Sequence, residues 1–242
     1  MKINKFIGRT EKVLRAITHR DLAWPLFFHF VLAASEHRRI IDSGLMCCVD
    51  IGANRGQFSL AVRHWAPQAS IIAFEPLPVP SQVFRDIFNK DTRIALHECA
   101  IGPHADSRQM HVSLRDDSSS LLPISDLQAE IFPGTAEAST LLVKVSPLDC
   151  FLCPADIFSP SLLKLDVQGF EYEALLGCES LLPSFDQVYS ECSFVELYSG
   201  QKLAADVIEW LACRGFHIEG IYNPSYDSNG RAVQADFLFR RI

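Results

Sequence analysis

From about residue 46 onward, short apolar runs alternate with stretches of helical periodicity. Residues 46–51 form an apolar run interrupted only by Asp50, and a turn containing Gly52 and Gly56 leads into a helical pattern over 57–65. A second strand is predicted over 70–74, closed by Glu75 and Pro76, then a helix over 79–88 and a third strand over 93–99. A fourth strand at 162–167 is followed by a helix at 171–176, and a fifth strand spans 187–194. An amphipathic helix over 203–214 stops at Gly215, and 216–222 and 235–240 read as a final strand pair joined by the turn-rich segment 223–230. Apolar runs of this length bounded by turn residues are strands buried on both faces, and their alternation with helices implies a largely parallel sheet. With no helix between them, the last two strands are expected to pair antiparallel. The expected fold is therefore α/β and Rossmann-like: a mostly parallel seven-stranded sheet with an antiparallel last strand and helices on both faces.

Two stretches stand outside this rhythm. Residues 103–160 carry several prolines and the polar run Asp116-Asp117-Ser118-Ser119-Ser120, and read as an irregular insertion between the third and fourth strands. Long insertions at that position commonly carry function. Residues 1–45 read as an N-terminal helical extension preceding a domain at 46–242. Residues 1–20 hold Lys2, Lys5, Arg9, Lys12, Arg15 and Arg20 against a single acid, Glu11, and are followed by an apolar stretch over 22–34. A basic start before an apolar segment resembles a signal peptide, but the basic part is long, and Pro25 and His29 interrupt the rest. Two readings remain: a helix packed on the domain, or a helix lying on a membrane surface. No apolar run reaches the roughly 20 residues that a membrane span needs.

Composition narrows the classes. The chain has 242 residues, 48% hydrophobic and 21% charged, enough to bury a core. A formal net charge of −7 argues against nucleic acid as the main partner, since a phosphate backbone demands a dense cationic face. Of the eight cysteines, Cys47, Cys48, Cys99 and Cys192 fall in apolar strand runs, and Cys150 and Cys153 form a lone C-x-x-C without the second ligand pair of a structural zinc site. Free thiols in a reducing cytoplasm are the expectation.

The chemistry concentrates in Val49-Asp50-Ile51-Gly52-Ala53-Asn54-Arg55-Gly56, which follows a strand and opens a helix. Gly52 and Gly56 allow a tight turn and close approach of a ligand to the backbone, while Glu75, at the end of the next strand, is placed to bind both ribose hydroxyls of an adenosine. Dinucleotide enzymes share this layout but use G-x-G-x-x-G. An acid in the first position, as here, would repel a pyrophosphate and attract the amino group of a methionine moiety. The loop therefore favours S-adenosylmethionine over NAD, with Asp50, Gly52, Asn54, Gly56, Glu75, Pro76 and Ala100 as the expected cofactor-binding residues.

Together with Phe74-Glu75-Pro76, Ala100-Ile101-Gly102, Ser118-Ser119-Ser120-Leu121 and the block Leu163-Lys164-Leu165-Asp166-Val167-Gln168-Gly169-Phe170-Glu171, this loop resembles the FkbM family of methyltransferases, over about residues 46–240. The resemblance implies the class I methyltransferase fold and O-methylation of hydroxyls on sugars, glycolipids or polyketide-like natural products. A small-molecule or glycan acceptor is the implied partner. A non-catalytic cofactor-binding partner subunit and an NAD-dependent oxidoreductase are the competing readings. For a hydroxyl nucleophile the candidate proton acceptor is Asp166, at the crevice end of the fourth strand. It serves as a general base, as a ligand to a divalent cation such as Mg²⁺ or Mn²⁺, or as a helix cap. Glu191, a charge inside an apolar strand, faces the active site, a structural cation or solvent. Ser119, Ser120, Lys164 and Gln168 are the candidate acceptor-binding residues. Lys164 shares a strand face with Asp166 and is expected to pair with it.

Overall fold

The computed structural model describes residues 19–242; residues 1–18, the first part of the expected N-terminal extension, lie outside the described residues. The central sheet has seven strands in the order β3-β2-β1-β7-β8-β10-β9. They are β1 (Cys47–Ile51), β2 (Ser70–Phe74), β3 (Ile94–His97), β7 (Ser161–Leu165), β8 (Gln187–Ser193), β9 (Phe216–Tyr226) and β10 (Ala232–Arg241). Neighbours from β3 through β8 run parallel, and β10 is inserted between β8 and β9, antiparallel to both. This is the Rossmann-like class I methyltransferase arrangement expected from the sequence.

Side chains alternate across a strand, so each strand feeds two cores. Cys47, Val49 and Ile51 of β1 join Leu163, Leu165, Val188 and Phe237 in one cluster, covered by α5 (Glu171–Cys178) and α6 (Ala204–Ala212). Cys48, Ile71, Leu162 and Leu238 face the other way, against α2 (Gln57–Trp65) and α3 (Pro78–Phe88). All five positions of β1 and all five of β7 are buried, which accounts for their apolar character apart from Ser161 and the charges Asp50 and Lys164. Each such side chain contributes roughly 1.5–3 kcal/mol over its exposed state. The N-terminal segment joins the second cluster. Leu22 of α1 (Arg20–His29), Val31, Ile40, Ile41 and Leu45 share it with Phe58, Ala61 and Val62.

The insertion is more ordered than the sequence suggests. It contains a hairpin of β5 (Asp106–Ser113) and β6 (Glu137–Ser146), to which the two-residue β4 (Ala100–Ile101) adds in parallel beside β6, making a separate three-stranded sheet. Between the hairpin strands lies α4 (Asp126–Ile131), N-capped by Ser125. The expected third strand over 93–99 is shorter in the structure: β3 spans Ile94–His97, and the chain passes to the second sheet at Ala100. In β6 only Val143 and Val145 are buried, and the first six positions are exposed. With so few inward positions the hairpin leaves no two-residue periodicity to read. At the other end of the chain, β9 and β10 extend past the expected boundaries, and the turn shrinks to the few residues around Asp227–Gly230.

One charged pair crosses the middle of the main sheet. Asp50 of β1 lies in register with Lys164 of β7. The Lys164 ammonium is 3.0 Å from Asp50 Oδ1 and donates to the Gly52 carbonyl at 2.9 Å; the Ser59 hydroxyl of α2 donates to Asp50 Oδ2 at 2.7 Å. Asp166 is the more distant partner at 4.0 Å. Lys164 thus pairs first with Asp50 and only weakly with the neighbour expected from strand spacing, because the in-register residue of the adjacent strand is closer. Burial disfavours the ammonium, but Asp50 and then Asp166 outweigh it and hold its pKa above the usual lysine value.

A buried ion pair that loses one member leaves an uncompensated charge, which costs about 3–5 kcal/mol. Lys164→Met is expected to lower unfolding free energy by that amount in urea titrations. Asp50→Leu/Lys164→Met is expected to regain most of the loss. A double variant destabilised by the sum of the two single losses would show that the two charges are not coupled.

Candidate active site

A cleft of about 620 Å³ opens along the carboxyl edge of the parallel strands. Crevices at this edge are the usual ligand sites of open α/β sheets. Its floor is the turn after β1 with the exits of β2 and β7. One wall is the segment 30–37 and the other comes from the insertion, including Met110, Asp116, Ser118 and Ser119. Arg55, in the turn, donates from Nε and Nη2 to Asp116 Oδ2 at 2.9 and 2.6 Å, which fastens the insertion over the turn.

The turn is shaped by two glycines. Gly52 has φ +76°, and a Cβ there would lie 1.9 Å from the Asp166 carbonyl oxygen, so only glycine lets β1 and β7 leave the sheet side by side. Gly56 has φ +91° and starts α2; a Cβ would meet the Phe88 ring at 2.7 Å. Asn54 is itself left-handed at φ +47°, and its side chain accepts from the Arg55 N–H at 2.8 Å, the local bond that makes asparagine tolerable there. Glu75 holds the turn from the other side, accepting from the Asn54 N–H at 2.9 Å on one oxygen and the Leu77 N–H at 2.8 Å on the other. Each carboxylate oxygen has two lone pairs, so one on each remains for a diol. Burial pushes the Glu75 carboxyl up to about 7, against the lowering effect of these two amides.

Asp166 follows β7 beside this turn and lines the cleft with its side chain half-exposed. Gln168, left-handed at φ +54°, donates from Nε2 to Asp166 Oδ1 at 2.7 Å and to Glu191 Oε2 at 3.2 Å. The Tyr198 hydroxyl is 2.8 Å from Gln168 Oε1 and 3.1 Å from the Ser118 carbonyl oxygen, joining this corner to the insertion. Glu191 also accepts from Gln234 Nε2 at 2.6 Å. Burial, then the negative charges of Asp166, Asp236 and Glu171, raise its pKa well above the ordinary carboxylate range. Because an amide donor fills the gap between Asp166 and Glu191, the two do not present the converging oxygens that a hard cation requires. Among the described residues, the convergent group of ligand-type side chains is His19, Asp21 and His64, outside the cleft.

Of the residues singled out from sequence, Gly52, Asn54, Glu75, Pro76, Ala100, Ser119, Lys164, Asp166 and Gln168 line the cleft. Asp50, Gly56, Ser120 and Glu191 do not. The Asp50 carboxylate is fully buried and consumed by Lys164 and Ser59, so it shapes the turn from behind. The Ser120 hydroxyl, also fully buried, accepts from the Leu122 N–H at 3.0 Å. Lys164 is held by Asp50 and the Gly52 carbonyl, with its side chain only 7% exposed, which leaves little of it for an acceptor.

One group in the cleft carries no signal in the sequence pattern. His37 stands in a short 3-10 turn (Ser35–Ile40) of the N-terminal segment and lines the cleft. Its Nδ1 is 2.8 Å from the Tyr189 hydroxyl and 3.6 Å from Asp236 Oδ2, and the Tyr189 hydroxyl donates to Asp236 at 3.0 Å. With the tyrosine proton directed to Asp236, Nδ1 of a neutral ring is the donor, so the lone pair resides on Nε2. No spacing links His37 to β8 and β10, and only the fold brings them together.

Comparison with known proteins agrees with the geometry. A 2-O-methyltransferase, NoeI, of Sinorhizobium fredii is 29% identical over 206 residues, covering 79% of this chain and 78% of that protein. Methyltransferase 1 of Beauveria bassiana is 27% identical over 144 residues, covering 54% of this chain and 57% of its own length. The crystal structure of the FkbM methyltransferase from Methylobacillus flagellatus superposes with a TM-score of 0.51 at 14% identity, over 84% of this chain and 50% of that one, a likeness of fold. Residues 50–218 match the methyltransferase FkbM domain, and the chain therefore belongs to the FkbM family of S-adenosylmethionine-dependent methyltransferases.

Proposed function

We propose that this chain transfers the methyl group of S-adenosylmethionine to a hydroxyl of a sugar or glycolipid acceptor. The observation that carries the reading is a single cleft lined by the glycine turn, Glu75, Asp166 and His37. The residues present fit the cofactor, since Glu75 retains acceptor capacity for a ribose diol beside the Gly52 turn. When bound, S-adenosylmethionine supplies an electrophilic methyl carbon on a sulfonium. The likeness to a relative named as a 2-O-methyltransferase supports a hydroxyl acceptor. Eight free cysteines, three of them exposed, support a reducing compartment such as the cytoplasm.

In this reading the chain's own residues do two things. The turn and the insertion, pinned by Arg55 and Asp116, fix the acceptor in line, which accounts for much of the acceleration in a displacement of this kind. Asp166, oriented by Gln168, takes the hydroxyl proton. The His37 arrangement favours a second reading in which Nε2 of the imidazole accepts that proton and Asp236 stabilises the charge through Nδ1.

The direct test is incubation with methyl-labelled S-adenosylmethionine and hydroxylated glycan or glycolipid acceptors, followed by mass spectrometry for a product with one added methyl group. Asp166→Asn is expected to lower turnover roughly 10²–10⁴-fold with little change in cofactor affinity. Activity is expected to survive EDTA, because Asp166 and Glu191 are bridged by an amide. Near-normal turnover in Asp166→Asn together with a comparable loss in His37→Gln would assign the proton to His37.

Glu75→Ala is expected to weaken cofactor binding by about 1.5–3 kcal/mol in calorimetry, the value of hydrogen bonds to a charged group. A pH dependence accompanies it. The carboxyl, raised to about 7, is mostly protonated below that pH, and the diol binds best to the anion. Affinity should therefore rise with pH, becoming roughly tenfold tighter at about pH 8 than at about pH 6, in proportion to the ionised fraction. Glu75→Gln should abolish this trend, and an unchanged slope would remove Glu75 from the ribose site.

A further inference from the structure

We infer that α1 docks the protein on an anionic lipid bilayer, aromatic face down, with the mouth of the cleft at the headgroup layer. The observation is a one-sided helix. Leu22 and Pro25 are buried against the domain, and Leu26 packs on the same core. On the opposite face Trp24, Phe27 and Phe28 stand at i, i+3 and i+4, with exposures of 41%, 60% and 69%. Phe30, which ends the helix in the left-handed conformation, is 86% exposed. Four large aromatic residues within seven positions on one surface, in a water-facing helix, are the composition of an interfacial anchor.

Charge selects the occupant. The residues that immediately precede and open this helix hold six lysines and arginines against one acid, in a chain of net charge −7. The one acid within α1, Asp21, is engaged by His64, with Nδ1 to Oδ2 at 2.5 Å. A basic run next in sequence to an aromatic face matches a bilayer rich in anionic headgroups, to which basic residues near the surface add affinity. A second copy of this chain would present the same cationic segment to itself and repel. No helix among the described residues is long and apolar enough to cross a membrane, so contact of this kind is peripheral.

The position of the anchor gives it a purpose. Phe30 and Val31, directly after α1, line the cleft, and His37 follows six residues later in the same wall. Docking through α1 therefore brings the wall of the cleft that carries His37 to the bilayer surface. Resting on the proposed O-methylation, this narrows the acceptor class to hydroxyls carried by a lipid, of which a glycolipid headgroup is the fitting chemistry.

Vesicle binding tests docking without cofactor or acceptor, so its failure is separate from failure of the methylation reading. The full chain is expected to sediment with phosphatidylglycerol-containing vesicles, to be released by high salt, and to bind purely phosphatidylcholine vesicles at least tenfold more weakly. Phe27→Ser/Phe28→Ser, at exposed positions that leave circular dichroism unchanged, should reduce partitioning tenfold or more. Brominated acyl chains should quench the emission of Trp24, and Trp24→Phe should remove that quenching while Trp65 and Trp210 remain. Lys5→Glu/Lys12→Glu should weaken binding to anionic vesicles alone. Absence of sedimentation, quenching that survives Trp24→Phe, or indifference to the phenylalanine substitutions would overturn the inference. So would lipid-free dimerisation abolished by the same serines, which would assign the face to a second copy.

Discussion

The arrangement of the cleft depends on the ion pair between Asp50 and Lys164. The two residues sit opposite each other on the central strands β1 and β7, within hydrogen-bonding reach of the turn where both strands leave the sheet. In energetic terms a buried pair is a weak source of stability, because two desolvated charges offset most of their attraction. Its value is positional. Three ammonium protons cannot be satisfied by one carboxylate, and a second bond goes to the Gly52 carbonyl, so the same cation that neutralises Asp50 also fixes the direction of the chain after β1. Asn54 then meets Glu75, and Arg55 meets Asp116. The glycine turn, Glu75 and the insertion thus take their places from one buried charge pair.

Much of this architecture was legible in the sequence because the signals were local. A strand buried on both faces is mostly apolar, and β1 and β7 are, apart from Ser161 and the paired charges Asp50 and Lys164. The hairpin β5–β6 was not legible. Its strands bury few side chains, so no alternation marked them, and their packing depends on contact with Leu77 and Phe170, which lie far away in sequence.

The site was legible to a comparable degree and failed for a comparable reason. Glycines and acids at strand ends signal a crevice through local backbone geometry, and Gly52, Asn54, Glu75, Asp166 and Gln168 all line it. What spacing could not assign was the direction of a side chain once several partners competed. Asp50 was expected to face a ligand, yet the lysine in register on the neighbouring strand and Ser59 of α2 claim both its oxygens. His37 was invisible for the converse reason, since its role arises from Tyr189 and Asp236, more than a hundred positions away.

The distribution of charge around Asp166 suits the proposed methyl transfer. Asp166, Glu191, Asp236 and Glu171 are close enough to perturb one another, and burial adds to the effect for three of them. A sulfonium loses its charge as the methyl leaves, so anions clustered around it would favour the ground state over the transition state and slow transfer. The protein limits that field. Burial and like-charge repulsion drive the Glu191 carboxyl toward its neutral form, the Glu171 carboxyl is pushed up to about 7 by burial, and Asp236 is shared among Tyr189, Asn223 and His37. Gln168 then contributes a neutral donor where a second anion or a cation would otherwise stand. Of this acidic group, Asp166 is the member that lines the cleft. A single carboxylate can accept a proton, whereas four ionised ones would hold the donor in place too well to let it react.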